Sequence, residues 1–228
     1  MASAPLFAFD EVTVAGADRP RLDAVTLTLL ASGITALAGP SGAGKSTLLR
    51  LCNRLEAPDA GCVRYRGGDI ADLPPLNHRR EVGMVFQRPV LFPGTVTDNI
   101  HVAEPGASRD RLAQLMLRAA LDPAEYLDRD ASTLSGGEAQ RACLARTLAT
   151  DPHVLLADEP TSALDEAATS ELEALMRRLA DDGVPIILVT HNEPQLERLA
   201  DHVVRLEAGR VLRTEERERP GPIEGRRS

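Results

Sequence analysis

"GPSGAGKST", residues 39–47, follows the apolar run "ITALA" at 34–38 and opens a helical pattern over 44–55. It holds Lys45, the single lysine of a chain whose other 25 basic residues are arginine. Lysine is a compact point charge on a thin stem, whereas a guanidinium is a wide planar fork, so position 45 carries a steric demand. The spacing satisfies G-x-x-x-x-G-K-[ST] between a strand and a helix, the context this pattern requires. Gly39, Gly42 and Gly44 let successive N–H groups turn inward around a phosphate, and the helix N-terminus adds partial positive charge. Pro40, Ser41, Ala43 and Thr47 complete the loop. Such a loop implies that Lys45 meets the outer phosphates of a nucleotide and that Ser46 holds Mg2+.

Outward from this loop, strand and helix alternate. "ITALA", "VGMVF" (82–86), "VLLA" (154–157) and "IILVT" (186–190) are short, nearly continuous apolar runs, as in strands buried on both faces of a parallel sheet. "LFAFDEVTV" (6–14) and "RLDAVTLTLL" (21–30) alternate in part and predict antiparallel strands with one exposed face. Helical patterns cover 44–55, 109–120, 136–150, 166–181 and 193–200. The fold class is therefore α/β: a P-loop NTPase core with a mostly parallel sheet, an N-terminal antiparallel β subdomain and an inserted helical subdomain at about 88–150. One domain over 1–213 is expected. Residues 214–228, rich in charge, Pro and Gly, are expected to form a disordered tail.

Composition excludes several classes. A net charge of -8 over 228 residues argues against an electrostatic grip on nucleic acid. Cys52, Cys62 and Cys143 fit neither a zinc spacing nor a disulfide framework, and predict buried, reduced thiols in a cytosolic setting. No apolar run approaches the roughly 20 residues needed to cross a bilayer, and the N-terminus lacks a basic segment followed by an apolar one. Any work at a membrane then requires a separate chain to hold this one there.

A second pair of charged residues stands where α/β sites collect. "HVLLADEP" ends a buried strand in Asp158 and Glu159, at the carboxyl edge of the sheet. Asp158 suits the magnesium shell and Glu159 suits polarising an attacking water. Pro160 stops the strand. "LSGGEAQR", 134–141, places Ser135 ahead of Gly136 and Gly137 at a helix start, a second anion-binding N-terminus with no lysine of its own. The same residues, with Glu138 three positions on, also make an ordinary capping box.

With these elements in this order, followed by "TSALD" and "VTHNE" and joined by "VFQRP", the sequence resembles the nucleotide-binding domains of ABC transporter ATPases over about residues 6–213. The resemblance implies ATP and Mg2+ as cofactors and a homodimer in the ATP-bound state, with Ser135 and Gly137 contacting the γ-phosphate held by the partner's Lys45. It implies that Gln87 senses magnesium and the attacking water, that His191 contacts the γ-phosphate beside Glu159, and that Asp165 lies at the dimer seam. It also implies an integral membrane permease as partner and a peripheral position on the cytoplasmic face of the membrane. Val90, Leu91 and Phe92 suit a docked membrane helix, or else the interior of the helical subdomain.

Two other readings share the P-loop: a non-transport ABC ATPase such as an iron-sulfur assembly ATPase, and a small soluble kinase. The kinase leaves "LSGGEAQR" without a role. The sequence departs from the family at Val14–Gly16, where an aromatic residue usually stacks on adenine; this predicts weakened ATP affinity and poor discrimination against GTP, unless Phe7 or Phe9 takes the position.

Overall fold

A computed structural model describes residues 5–217 as a three-layered α/β fold. The strands are β1 (Pro5–Val14), β2 (Leu22–Leu30), β3 (Ile34–Ala38), β4 (Ala60–Tyr65), β5 (Gly68–Asp69), β6 (Val82–Val85), β7 (Val154–Asp158), β8 (Ile186–Val189), β9 (His202–Glu207) and β10 (Arg210–Glu216). The helices are α1 (Lys45–Cys52), α2 (Pro75–Glu81), α3 (Val96–His101), α4 (Arg109–Arg118), α5 (Pro123–Tyr126), α6 (Gly136–Leu148), α7 (Glu166–Asp181) and α8 (Glu193–Leu199).

One sheet has the order β10-β9-β3-β8-β7-β6 and is parallel except for its β9/β10 edge. The other has the order β2-β1-β4-β5 and is antiparallel. Every residue of β3, β7 and β8 is buried, which is why their sequences read as unbroken apolar runs. Strand period still divides them. Val154 and Leu156, like Ile187 and Val189, enter the core shared with α1 and the antiparallel sheet. Leu155 and Ala157, like Ile186 and Leu188, enter the core shared with α3, α4, α6 and α7.

That second core qualifies the expected insertion. The helical stretch between β6 and β7 buries Val96, Ile100, Leu112, Leu115 and Leu148 in the same cluster as sheet residues Val85 and Leu155. The helices therefore share the sheet's core. Val90 and Phe92 remain exposed, while Leu91 packs against this cluster, so the apolar triplet divides between the two roles the sequence left open.

Several elements went unseen in the sequence. α2 buries only His78, so it shows no apolar stripe, and α3 is six residues long. β10 is an edge strand on which Arg and Glu face solvent, and Arg213 and Arg205 meet Glu215 across it. β10 also corrects the predicted boundary of the tail: Thr214, Glu215 and Glu216 pair with β9, and the disorder expected at 218–228 lies outside the described residues. Cys52 and Cys143 are buried as expected, but Cys62 is only half-buried.

Candidate active site

The loop from Gly39 to Gly44 leaves the end of β3 and turns into α1. Gly39 has φ +146° and Gly44 has φ +101°; a Cβ at Gly44 would stand 2.5 Å from the Arg21 carbonyl, so both the backbone angle and the space demand glycine there. Gly44 is also the N-cap of α1, and no side chain caps it. The first N–H groups of α1 consequently open on a cavity of about 180 Å3 lined by Ser41 to Thr47 and Glu159.

Lys45 is only 6% exposed. Its Nζ donates to the carbonyls of Gly39 at 2.8 Å and Pro40 at 2.9 Å. Burial lowers its pKa, while the carboxylates of Glu159 and Asp158 oppose that shift. Buried cations are held by partners or by ligands, and here the protein supplies two neutral carbonyls and two nearby acids.

Asp158 ends β7 in register with Val189 of β8, and its Oδ1 accepts a hydrogen bond from Ser46 Oγ at 2.8 Å. The backbone then turns sharply. Glu159 has φ +45°, a left-handed conformation that costs a non-glycine residue about 1 kcal/mol, and its N–H donates to the Val189 carbonyl at 3.1 Å. The turn brings Glu159 to the cavity wall. His191 Nδ1 lies 3.2 Å from Glu159 Oε1.

Gln87 lies two residues beyond β6, and its Nε2 donates to Ser162 Oγ at 3.1 Å. Ser162 in turn donates its N–H to the Glu159 carbonyl. Asp165 caps α7 by accepting from the Ala168 N–H at 2.8 Å. The described structure thus brings Gly39 to Thr47, Asp158, Glu159 and His191 to one edge, and ties Gln87 to the segment that joins Glu159 to Asp165.

Ser135, Gly136 and Gly137 stand apart from that edge. No hydrogen bond or ion pair among the described residues joins them to the loop at 39–47. The capping box is present: Glu138 Oε2 accepts from the Ser135 N–H at 2.7 Å, and Ser135 Oγ accepts from the Glu138 N–H at 3.4 Å. Tyr126 donates to Glu138 Oε1 at 2.6 Å and, with the Ser135 backbone, holds this carboxyl down to about 2. A Cβ on Gly137 would stand 2.9 Å from Ala168 Cβ, so the starts of α6 and α7 are pressed together.

Phe7 and Phe9 cannot serve a bound base. Both are buried in the core behind the antiparallel sheet, which overturns the suggestion that either replaces the missing aromatic. The connection between β1 and β2 instead brings Arg21 to the loop, with Nη1 3.5 Å from Thr47 Oγ1 and 2.7 Å from Glu56 Oε2. Neither Arg21 nor Ser162 was singled out from sequence; an exposed-looking arginine carries no pattern, although Ser162 lies inside the quoted "TSALD".

The residues present fit ATP and magnesium. A buried ammonium hydrogen-bonded to two neutral carbonyls, uncapped helix N–H groups and a hydroxyl paired with a carboxylate make a donor set for a polyphosphate and a hard cation. Among the described residues no cluster of three or more His, Cys, Asp or Glu forms a metal site by itself. Mg2+ ordinarily takes one or two protein oxygens and completes its shell with phosphates and water.

A family model described as ABC transporter matches residues 22–162. Protein STAR1 of Oryza sativa subsp. japonica is 46% identical over 185 residues; the match covers 78% of this chain and 53% of STAR1, so the chain spans about half that relative's length. The phosphate import ATP-binding protein PstB of Thermotoga maritima is 39% identical over 204 residues, covering 82% of this chain and 81% of PstB. Among solved structures, cbiO1 of Clostridium perfringens, described as part of the ABC transporter complex cbiONQ, superposes with a TM-score of 0.84 at 25% identity, covering 93% of this chain and 88% of that one. A dimeric ATP-binding cassette in a post-hydrolysis state with ADP and Pi superposes with a TM-score of 0.80 at 30% identity, covering 92% of this chain and 98% of that one.

Proposed function

We propose that this chain, which belongs to the ABC transporter family, is an ATP-binding, ATP-hydrolysing subunit that energises transport, and that two copies close on ATP, the loop at 39–47 of one facing the Ser135 end of α6 of the other. The observation that carries this reading is the division of the anion-binding parts. One cradle holds the lysine, the second holds the capped helix, and among the described residues no hydrogen bond or ion pair joins the two within a copy. ATP carries several negative charges, and donors on two sides neutralise them better than donors on one.

In this arrangement Lys45 exchanges its bonds to the Gly39 and Pro40 carbonyls for the outer phosphates. Ser46 and Asp158, with Gln87 as a further oxygen donor, would hold Mg2+, which would supply positive charge to offset that of the polyphosphate. Glu159 orients the attacking water and takes its proton as the water oxygen bonds to the γ-phosphorus and the bond to the bridging oxygen breaks, releasing ADP. His191 fixes the carboxylate of Glu159 and reaches the γ-phosphate, and Asp165 lies at the seam between copies.

The membrane permease docks at an apolar groove of about 590 Å3 beside Gln87, whose walls include Leu55, Phe86, Val90, Phe92 and Val102. These five side chains are exposed, which a groove awaiting a partner helix accounts for. Among the described residues no helix is long and apolar enough to cross a membrane; in this reading the docked permease is what holds the chain at the cytoplasmic face.

Replacing Glu159 by Gln keeps the binding site but removes the proton acceptor, and is expected to trap an ATP-bound dimer on size-exclusion chromatography. Ser135→Arg is expected to retain ATP binding and lose hydrolysis. A Glu159→Gln protein that stays monomeric with ATP and magnesium, or a Ser135→Arg protein with native hydrolysis, would refute the paired arrangement.

A further inference from the structure

We infer that Arg19 is a phosphate-binding residue, a second cation that closes the rim of the cradle over the polyphosphate of a bound nucleoside triphosphate. This rests on the reading that the loop at 39–47 binds ATP. The connection between β1 and β2 runs along that loop: the Arg21 carbonyl crowds Gly44, and Arg19 Nη2 reaches to 4.0 Å from the position a Cβ on Gly42 would take.

The neighbouring arginines are committed. Arg21 donates to the Ala15 carbonyl and pairs with Glu56. Arg50 faces Glu56 and Asp158. Arg19 alone of the three makes no hydrogen bond or ion pair with any described residue, and its side chain is exposed. An uncompensated guanidinium beside an anion cradle presents donors in a fork whose geometry matches phosphate oxygens.

A planar guanidinium can also stack on a base, in the role left open by the missing aromatic. The approach of Arg19 Nη2 to the side of Gly42, inside the phosphate loop, favours the phosphate chain. Inorganic tripolyphosphate, which has no base, separates the two.

The experiment is calorimetric titration of the full chain with ATP and with inorganic tripolyphosphate, for the native protein, Arg19→Ala and Arg19→Lys, at low and high salt. Arg19→Ala is expected to weaken both ligands by a similar factor, about tenfold at low salt and less at high salt. Arg19→Lys is expected to recover part of the loss for both. Weakened ATP with unchanged tripolyphosphate would overturn the inference in favour of a base contact. Two unchanged affinities would leave Arg19 an ordinary surface residue and overturn it as well. Arg19 is exposed, and equal thermal midpoints of the three unliganded proteins check that the fold is unchanged. Lys45→Met tests the premise separately: if it binds ATP like the native protein, the ATP reading of the loop fails, whatever Arg19 does.

Discussion

Replacing Lys45 by Arg preserves charge and is expected to abolish useful ATP binding. The Lys45 ammonium already lies at hydrogen-bond distance from two carbonyls, 2.8 and 2.9 Å away, and the side chain is almost wholly enclosed. A guanidinium reaching the same point extends beyond it, into the cavity of about 180 Å3 where phosphate must lie. Overfilling a packed site costs about 1–3 kcal/mol, and losing a charge-assisted bond costs about 1.5–3 kcal/mol. Even the lower ends together give about 2.5 kcal/mol, roughly 70-fold weaker binding. Calorimetric titration with ATP and magnesium measures this, with thermal unfolding of the unliganded protein run beside it. An Arg variant that binds within threefold of the native affinity would refute the argument that a single lysine persists here because of its shape.

Two further outcomes follow from groups outside the cradle. His78 is buried, its Nε2 donates to the Cys52 carbonyl at 2.7 Å, and its Nδ1 has no hydrogen-bond partner among the described residues; burial pushes its pKa below the ordinary 6.5. Above pH 6.5 both folded and unfolded states hold it neutral; as pH falls, the unfolded chain takes up the proton first, so stability is lost from 6.5 down to the folded value. The thermal midpoint of the native protein should fall more steeply on acidification over that window than that of His78→Phe, and parallel slopes would refute the assignment. Tyr126→Phe removes the donor to Glu138, so the Glu138 carboxyl should rise from about 2. The loss of one hydrogen bond, about 1 kcal/mol, should lower the midpoint by about 2–4 °C, and a variant with an unchanged midpoint and unchanged Glu138 titration would show that the bond does not hold the start of α6.

The parts that spacing dictates were legible in the sequence. β3, β7 and β8 announce themselves because burial on both faces removes polar residues, and the loop at 39–47 does so because only glycine meets its φ angles. Asp158 and Glu159 were legible as paired acids at a strand end and His191 through the family resemblance, and the fold brings all three to one edge. Elements stabilised by their neighbours were hidden. β4 begins with the exposed pair Ala60 and Gly61 and β10 buries none of its residues, so neither shows an apolar run, and α2 is held through one histidine rather than a stripe. The fate of Phe7 and Phe9 was equally hidden, because the irregularity after Phe9, with Glu11 at φ +49°, resets which residues of β1 face inward. Arg19 illustrates the remaining gap, since its lack of a partner exists only in three dimensions.

The alternation of β7 between two cores limits where the chain can grow. One residue inserted between Val154 and Asp158 would swing Asp158 to the opposite side of the sheet, away from Ser46, and exchange the side chains feeding both interiors. At Gly106 a Cβ would meet nothing within 4 Å, so that turn has room beside it that the strand lacks. Length polymorphism, tag placement and domain grafting therefore belong at the Gly106 turn; the strand carrying the acids is a ruler whose divisions cannot be altered.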